Sequence, residues 1–116
     1  QLKISWKVLL IPSDLTKDEL VSLAQDIHSR RQRTYFELYD SESEIHAYLA
    51  WQEKSLERPF PAEYVKKHRV GVIGEIISSK ASGWYLYRTG SDIKSLQFGH
   101  KSISGVPEEN LIAPLR

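Results

Sequence analysis

The sequence contains no cysteine and no methionine. Without cysteine the chain cannot form disulfides, thiolate metal sites or iron–sulfur clusters, and it has no cysteine nucleophile. Because it begins at Gln1 and lacks methionine, we expect it to be a processed or trimmed piece of a longer product. Two origins fit. It is the mature part of an exported or lipid-anchored bacterial protein, or it is a portion of a larger cytosolic protein.

The sequence also lacks long apolar runs and an excess of one charge. Its longest aliphatic run, residues 8–11, is far shorter than the ~20 residues of a membrane helix, so we expect no membrane span in this segment. Lys and Arg number 16 against 15 Asp and Glu, a net charge of +1. A nucleic-acid partner is therefore disfavoured, although a local basic patch remains compatible with this balance.

The composition is typical of one soluble globular domain. The chain has 116 residues, of which 41% are hydrophobic and 27% charged. Its first half predicts a strand at residues 4–12 and a helix that opens on a capping box of Thr16 and Glu19. A second strand at residues 34–40 alternates apolar and polar side chains. Strand, helix and strand together predict a right-handed βαβ unit with parallel strands.

Residues 41–44, SESE, predict a second capping box, formed by Ser41 and Glu44. The helix that follows should present one side to the core, with Trp51 near its edge. That side consists of Ile45, Tyr48, Leu49, Gln52 and Leu56. A proline-containing connection spans residues 59–69, in which AEYVKKH is compatible with one helical turn. Residues 70–99 then predict an antiparallel meander of RVGVIGEII, GWYLYR and SLQF, followed by a C-terminal tail over residues 100–116.

These elements predict an α+β protein. We expect one domain over residues 1–116, a two-layer sandwich in which two helices pack on a mixed sheet of about five strands. The order is β-α-β-α-β-β-β, with residues 1–58 forming a βαβα half.

Motifs of common enzymes are missing from the sequence. It contains no G-x-S-x-G elbow to present a serine nucleophile, and no H-E-x-x-H or H-x-H pair to bind a metal. His28 and His46 lie on predicted helices and are expected to be solvent-exposed. The G-x-x-G of Gly71 and Gly74 falls in a predicted strand rather than in a phosphate-binding turn. The sequence therefore assigns no catalytic, metal-binding or cofactor-binding residue.

Aromatic side chains are candidates for partner binding. Tyr85 and Tyr87 share one face of their strand, and Tyr35 and Tyr39 share the polar face of theirs with Glu37. If all four tyrosines lie on one face of the sheet, they form a platform that could stack on bases or sugars or anchor a protein. Ordinary cross-strand packing explains the same pattern and is the reading that aromatic enrichment in strands favours.

Two small basic clusters each precede a predicted strand. The first contains Arg30, Arg31 and Arg33, beside His28. The second contains Lys66, Lys67, His68 and Arg69. If the two strands are neighbours, the clusters could meet at one end of the sheet as a site for an anion or an acidic partner; otherwise they are solvated charges.

Three functions follow from these patterns. The first is a non-enzymatic protein-interaction or accessory domain, with a protein partner or self-association. The second is nucleic-acid or polyanion binding through the arginines and the sheet tyrosines. The third is a small enzyme that uses Glu37, His46 or His68 in a cleft. The candidate partner-binding residues are Arg30, Arg31, Arg33, Tyr35, Glu37, Tyr39, Tyr85 and Tyr87.

Overall fold

A computed structural model describes residues 5–77, 82–90, 92–98 and 106–116. Within these ranges, five strands form one sheet, and their order in space follows their order in the sequence. They are β1 (Ser5–Leu10), β2 (Thr34–Tyr39), β3 (Arg69–Ile77), β4 (Ser82–Tyr87) and β5 (Leu111–Pro114). β1 is parallel to β2, and each later strand is antiparallel to its neighbour. The α+β class and the mixed five-strand sheet are confirmed.

Four helices in the described part of the chain accompany the sheet, two more than the sequence predicts. They are α1 (Lys17–Arg30), α2 (Ile45–Glu53), α3 (Ala62–His68) and α4 (Ile93–Phe98). A short 3₁₀ turn, Glu108–Asn110, precedes β5. None of the helices in the described residues is long and apolar enough to cross a bilayer.

The SLQF segment, residues 95–98, was predicted as a strand, and this prediction is wrong: it belongs to α4. Asp92 decides this locally, because its carboxylate accepts a hydrogen bond from the Ser95 amide at 3.1 Å, as a helix cap does. Leu96 is thereby directed into the core. The last antiparallel strand is instead β5, in the predicted C-terminal tail.

Helices lie on both faces of the sheet, which gives three layers where the sequence suggested two. On one face, Ala24 of α1 packs with Phe36 and Leu38 of β2. On the other face, residues of α2, α3 and α4 pack around Tyr39. β1 contacts both clusters, through Val8 on one face and Leu9 on the other. Its run of consecutive aliphatic residues predicts this two-sided burial.

Only one of the two predicted capping boxes forms. The Thr16 hydroxyl accepts from the Glu19 amide at 3.2 Å, and the Glu19 carboxylate accepts from the Thr16 amide at 2.9 Å, as predicted. The prediction for Ser41 and Glu44 is wrong, since α2 begins at Ile45 and Glu44 makes no side-chain cap bond. The Ser41 hydroxyl instead accepts from the Ser43 amide at 3.2 Å, which closes a turn before the helix.

The predicted core side of α2 is partly wrong as well. Trp51, placed near the edge, is buried, whereas Leu49 is 40% exposed. The helix ends at Glu53, so Leu56 lies beyond it and is 101% exposed.

Candidate functional site

A cleft of about 650 Å³ opens at the end of the sheet where β2 ends and β3 begins. Because β4 is antiparallel to β3 and β5 to β4, this end also holds the end of β4 and the start of β5. The start of α1 and the last turn of α3 complete the walls. We call this end the cleft end of the sheet.

Basic side chains surround the cleft. Lys17, Lys66, Lys67 and Arg88 line it and are exposed to solvent. Glu109 is the one acidic residue among the described residues of the lining. Several positive charges around so small a volume create a positive potential that attracts anions. The low-dielectric walls of the cleft focus this field.

Local structure explains why these cations are found here. Lys66 and Lys67 occupy the last turn of α3, where the negative end of the helix dipole favours positive charge. Arg88 directly follows β4, and its amide donates to the Asn110 carbonyl at 2.8 Å, which keeps it beside β5. Each position has a structural reason, but only the tertiary fold brings them around one cavity.

Arg69 contributes to the floor of the cleft, and its side chain is 1% exposed. One terminal nitrogen, Nη1, donates to Oε1 of Glu37 at 3.2 Å. The other, Nη2, donates at 2.9 Å both to the Thr89 hydroxyl and to the Leu96 carbonyl, and at 3.4 Å to the Ser95 carbonyl. The guanidinium therefore joins β2, the end of β4 and α4 in a single network.

Glu37 is the partner of this buried cation, and its side chain is 3% exposed. Oε1 accepts from the Tyr39 hydroxyl at 3.0 Å and from the Tyr48 hydroxyl, while Oε2 accepts from the Gln52 amide at 3.3 Å. A carboxylate with this many donors is well compensated for its loss of water. We call Glu37, Arg69, Tyr39, Tyr48 and Gln52 the buried polar network.

The electrostatics of the network keep Tyr39, Tyr48 and Arg69 protonated. Burial, together with the nearby Glu37 charge, raises the pKa of the Tyr39 and Tyr48 hydroxyls far above their ordinary values, so both remain donors. Burial alone would lower the pKa of Arg69, but its neighbours Tyr39, Glu37 and Tyr48 raise it on balance. Arg69 is therefore a permanent positive charge beneath the cleft.

The polar face of β2 is buried at Glu37 and Tyr39. Tyr39 and Glu37 were predicted on an exposed face for partner binding, but both are buried, Tyr39 against α2 and α3 and Glu37 against Tyr48 and Gln52 of α2. Tyr87 is buried as well, packed with Val72 and Ile76 of β3. The alternation itself was predicted correctly, since Phe36 and Leu38 take the opposite face. What the pattern could not show is that a polar strand face can be covered when its groups bond to one another.

Tyr35 and Tyr85 are only partly buried. The Tyr35 hydroxyl donates to the Glu75 carbonyl at 3.3 Å, and its ring lies over Gly74, where an added Cβ would come within 2.7 Å of it. Gly74 thus serves a close approach within the sheet, as its position in a strand predicts. Since Tyr39 and Tyr87 are covered, the four tyrosines do not form an exposed platform.

The two basic clusters lie at opposite ends of the sheet. β2 and β3 are neighbours, as the proposed meeting required, but they are antiparallel. Arg30, Arg31 and Arg33 precede the start of β2, roughly 17 Å along the strand from the cleft end. Arg30 is held by Asp26 of its own helix, with 3.2 Å between the charged atoms.

The three histidines among the described residues lie in three different environments. His28, predicted on the surface, is buried, with its ring 5.2 Å from that of Trp84. His46 is exposed, as predicted. His68 lies 2.8 Å from the Asp40 carboxylate and is partly exposed. Within the described residues, no three or more His, Asp or Glu side chains cluster in a way that could hold a metal ion.

Sequence reasoning did not identify the cleft. It noted Lys66 and Lys67 but attached no role to Lys17, Arg88 or Glu109, because five separate segments supply the lining. No spacing in the sequence connects such segments. Comparisons with known proteins add nothing to this picture: no protein-family model, no curated protein and no solved structure matches the chain.

Proposed function

We propose that this chain is a non-enzymatic interaction domain that binds an acidic segment of a protein partner in the cleft. One observation carries the proposal: four exposed cations, Lys17, Lys66, Lys67 and Arg88, surround a cavity of about 650 Å³ with a single acid among its described lining residues. Complementary charge of this kind steers encounter and selects partners more than it adds affinity.

Apolar walls favour a peptide over a nucleic acid. Besides the cations, the cleft is lined by Leu15, Leu20, Val65, Val70, Leu111 and Ile112. A protein segment that mixes acidic and apolar side chains can use both kinds of surface. Nucleic-acid binding through the sheet tyrosines loses support, because Tyr39 and Tyr87 are covered and cannot stack on bases.

The buried polar network supports the same proposal. Arg69 is fixed by Glu37, Thr89 and α4, so the floor of the cleft is formed before a ligand arrives. A preformed site avoids the entropy cost of ordering loops on binding. Glu37 therefore has a structural role beneath the site, where it is buried away from a ligand in the cleft.

A fluorescent glutamate-rich peptide tests the proposal by anisotropy titration. We expect saturable binding that weakens as KCl rises, because exposed ion pairs are screened by salt. Lys66→Gln combined with Lys67→Gln removes two such pairs, each worth about 0.2–1 kcal/mol, so affinity should fall roughly 2- to 30-fold. Arg88→Glu should weaken binding further, since it replaces attraction with repulsion.

The matched control for Arg88→Glu is Arg58→Glu. It makes the same change of charge at an exposed arginine outside the cleft lining. It should leave affinity within about twofold, as expected for distant, screened charges. A single-stranded DNA oligonucleotide is titrated in parallel. If the oligonucleotide binds more tightly than the peptide, and Arg88→Glu abolishes its binding, the acidic-protein proposal is wrong. Absence of binding to the peptide at low salt also contradicts it.

A further inference from the structure

β1 forms an open edge of the sheet. It pairs with β2 on one side only, in an unbroken register over all six residues, and no described strand lies on its other side. An edge of this length exposes a row of backbone donors and acceptors that another strand can use.

The usual protections of an edge strand are weak at β1 but present at β5. β5, the opposite edge, has four residues and ends at Pro114, which cannot donate to a further strand. β1 has six residues, no proline and no bulge, and Lys7 is its one charged side chain. The contrast makes β1 the more accessible of the two edges for pairing with a further strand.

An apolar groove lies beside this edge. Its volume is about 420 Å³, and residues of β1 and α2 line it, among them Leu10, Ile45 and Leu49. Leu10 is 50% exposed and Leu49 is 40% exposed. Leucines between a sheet and the helix that packs on it are usually buried, so this exposure is unusual. Both would be covered if a second strand and helix continued the layer.

The charges at the two ends of β2 indicate what kind of molecule would cover the β1 edge and the groove. Arg31 and Arg33 lie just before its start, and Thr34 is paired in register with Ser5 of β1. Glu42 and Glu44 follow its end and precede Ile45, which lines the groove. Next to the β1 edge, the start of β2 is therefore positive and its end negative. The cleft cations Lys66, Lys67 and Arg88 lie at that same end but beside β3 and β4. A second copy turned by 180° presents the opposite sign at each end.

We propose that a second copy of this chain docks antiparallel along β1 and extends the two sheets into one of ten strands. The interface is isologous, as in most soluble dimers. Two β2 strands would be separated by three strand spacings, roughly 14 Å. Because arginine and glutamate side chains are long, their charged groups can approach one another across this distance to within a Debye length, about 8–10 Å. Their attraction should therefore persist at moderate salt.

Sedimentation velocity over a wide concentration range tests this inference on the unmodified chain. We expect a reversible monomer–dimer equilibrium. Leu49→Lys, which places a charge in the groove, should weaken dimerisation at least about tenfold. Leu56→Lys is the matched control, because Leu56 is fully exposed and outside the groove, and it should leave the equilibrium unchanged.

A charge exchange distinguishes a second copy from other occupants. Glu42→Lys with Glu44→Lys makes both ends positive, and Arg31→Glu with Arg33→Glu makes both ends negative. Each double variant should dimerise poorly alone, whereas an equal mixture should form heterodimers. Circular dichroism confirms that each variant is folded. A chain that stays monomeric at every concentration, or a dimer that Leu49→Lys leaves intact, overturns the inference, as does a mixture that forms no heterodimer.

This inference is independent of the cleft. Loss of peptide binding by Arg88→Glu would leave the dimer unaffected, because Arg88 lies at the end of β4, three strands away from β1.

Discussion

His28 lies near the end of α1 with its ring 5.2 Å from that of Trp84, and the side chain is 1% exposed. Its Nδ1 has no hydrogen-bond partner among the described residues. Burial lowers the pKa of His28 below its ordinary value. At the scale of single residues, therefore, a histidine that the sequence placed on the surface becomes a neutral member of the interior.

We expect His28 to make folding stability depend on pH. Its folded-state pKa is lowered, so below its unfolded-state pKa of about 6.5 only the unfolded chain gains a proton there. The stability of the neutral form is present above that pKa and is lost as pH falls towards the folded-state pKa. The loss approaches at most about 1.4 kcal/mol per pH unit.

Urea denaturation at several pH values between neutral and mildly acidic measures this. His28→Gln should have a flatter dependence than the unmodified chain, although it is less stable at neutral pH. His46→Gln, at an exposed histidine, is the control and should retain the original slope. Identical slopes for His28→Gln and the unmodified chain would show that His28 does not contribute to the pH dependence.

Among the secondary-structure elements, two similar sequence patterns have different outcomes. TKDE forms a complete capping box at the start of α1, but SESE forms a turn in which Ser41 binds the Ser43 amide. The Ser41 carbonyl also accepts from the Tyr64 hydroxyl. Long-range packing of α3 against this turn thus fixes a geometry that the local pattern does not specify.

We expect Thr16→Ala to lower the free energy of unfolding by about 1 kcal/mol, the usual effect of losing an N-cap. Ser41→Ala should cost less than about 0.5 kcal/mol, since its side-chain bonds are made at an exposed turn and its carbonyl is retained. Chemical denaturation of both variants gives the comparison. Equal losses would mean that Ser41 caps α2 in solution.

At the scale of the whole molecule, the described residues have a radius of gyration of 13.7 Å, close to the roughly 13 Å expected for one compact domain of this length. The buried polar network connects its parts. Through Arg69 and Glu37 it bonds β2, β3, α2, the end of β4 and α4. Substitution of one residue of the network should therefore disturb the packing of α4 as well as that of the sheet.

Breaking the ion pair should be strongly destabilising. Arg69→Met leaves the Glu37 charge buried without its partner, and we expect a loss of about 3–5 kcal/mol. Glu37→Gln combined with Arg69→Met removes both charges, so the double variant should lose less than the two single losses added together, by about 0.5–3 kcal/mol.

Urea denaturation of the three variants completes this double-mutant cycle. Arg58→Met, at an exposed arginine, serves as the control and should change stability by no more than about 0.5 kcal/mol. Strictly additive losses would contradict a direct coupling between Glu37 and Arg69.

Much of the fold was predictable because its signals are local. The run of aliphatic residues in β1, the cap of α1 and the alternation of β2 all depend on residues close in sequence. The candidate site was not predictable in this way. The cleft is assembled from five segments, and the two basic clusters, although both precede strands, were separated by the antiparallel direction of β3.

By itself, the sequence determined the α+β class, the parallel start of the sheet and the side of β2 on which each residue lies, since backbone geometry and short-range patterns settle those features. Only the tertiary structure decided that the Glu37 side of β2 is covered rather than exposed. The physical reason is that a polar strand face can be buried when Arg69, Tyr39 and Tyr48 supply its hydrogen bonds, and Arg69 and Tyr48 come from other elements of the fold.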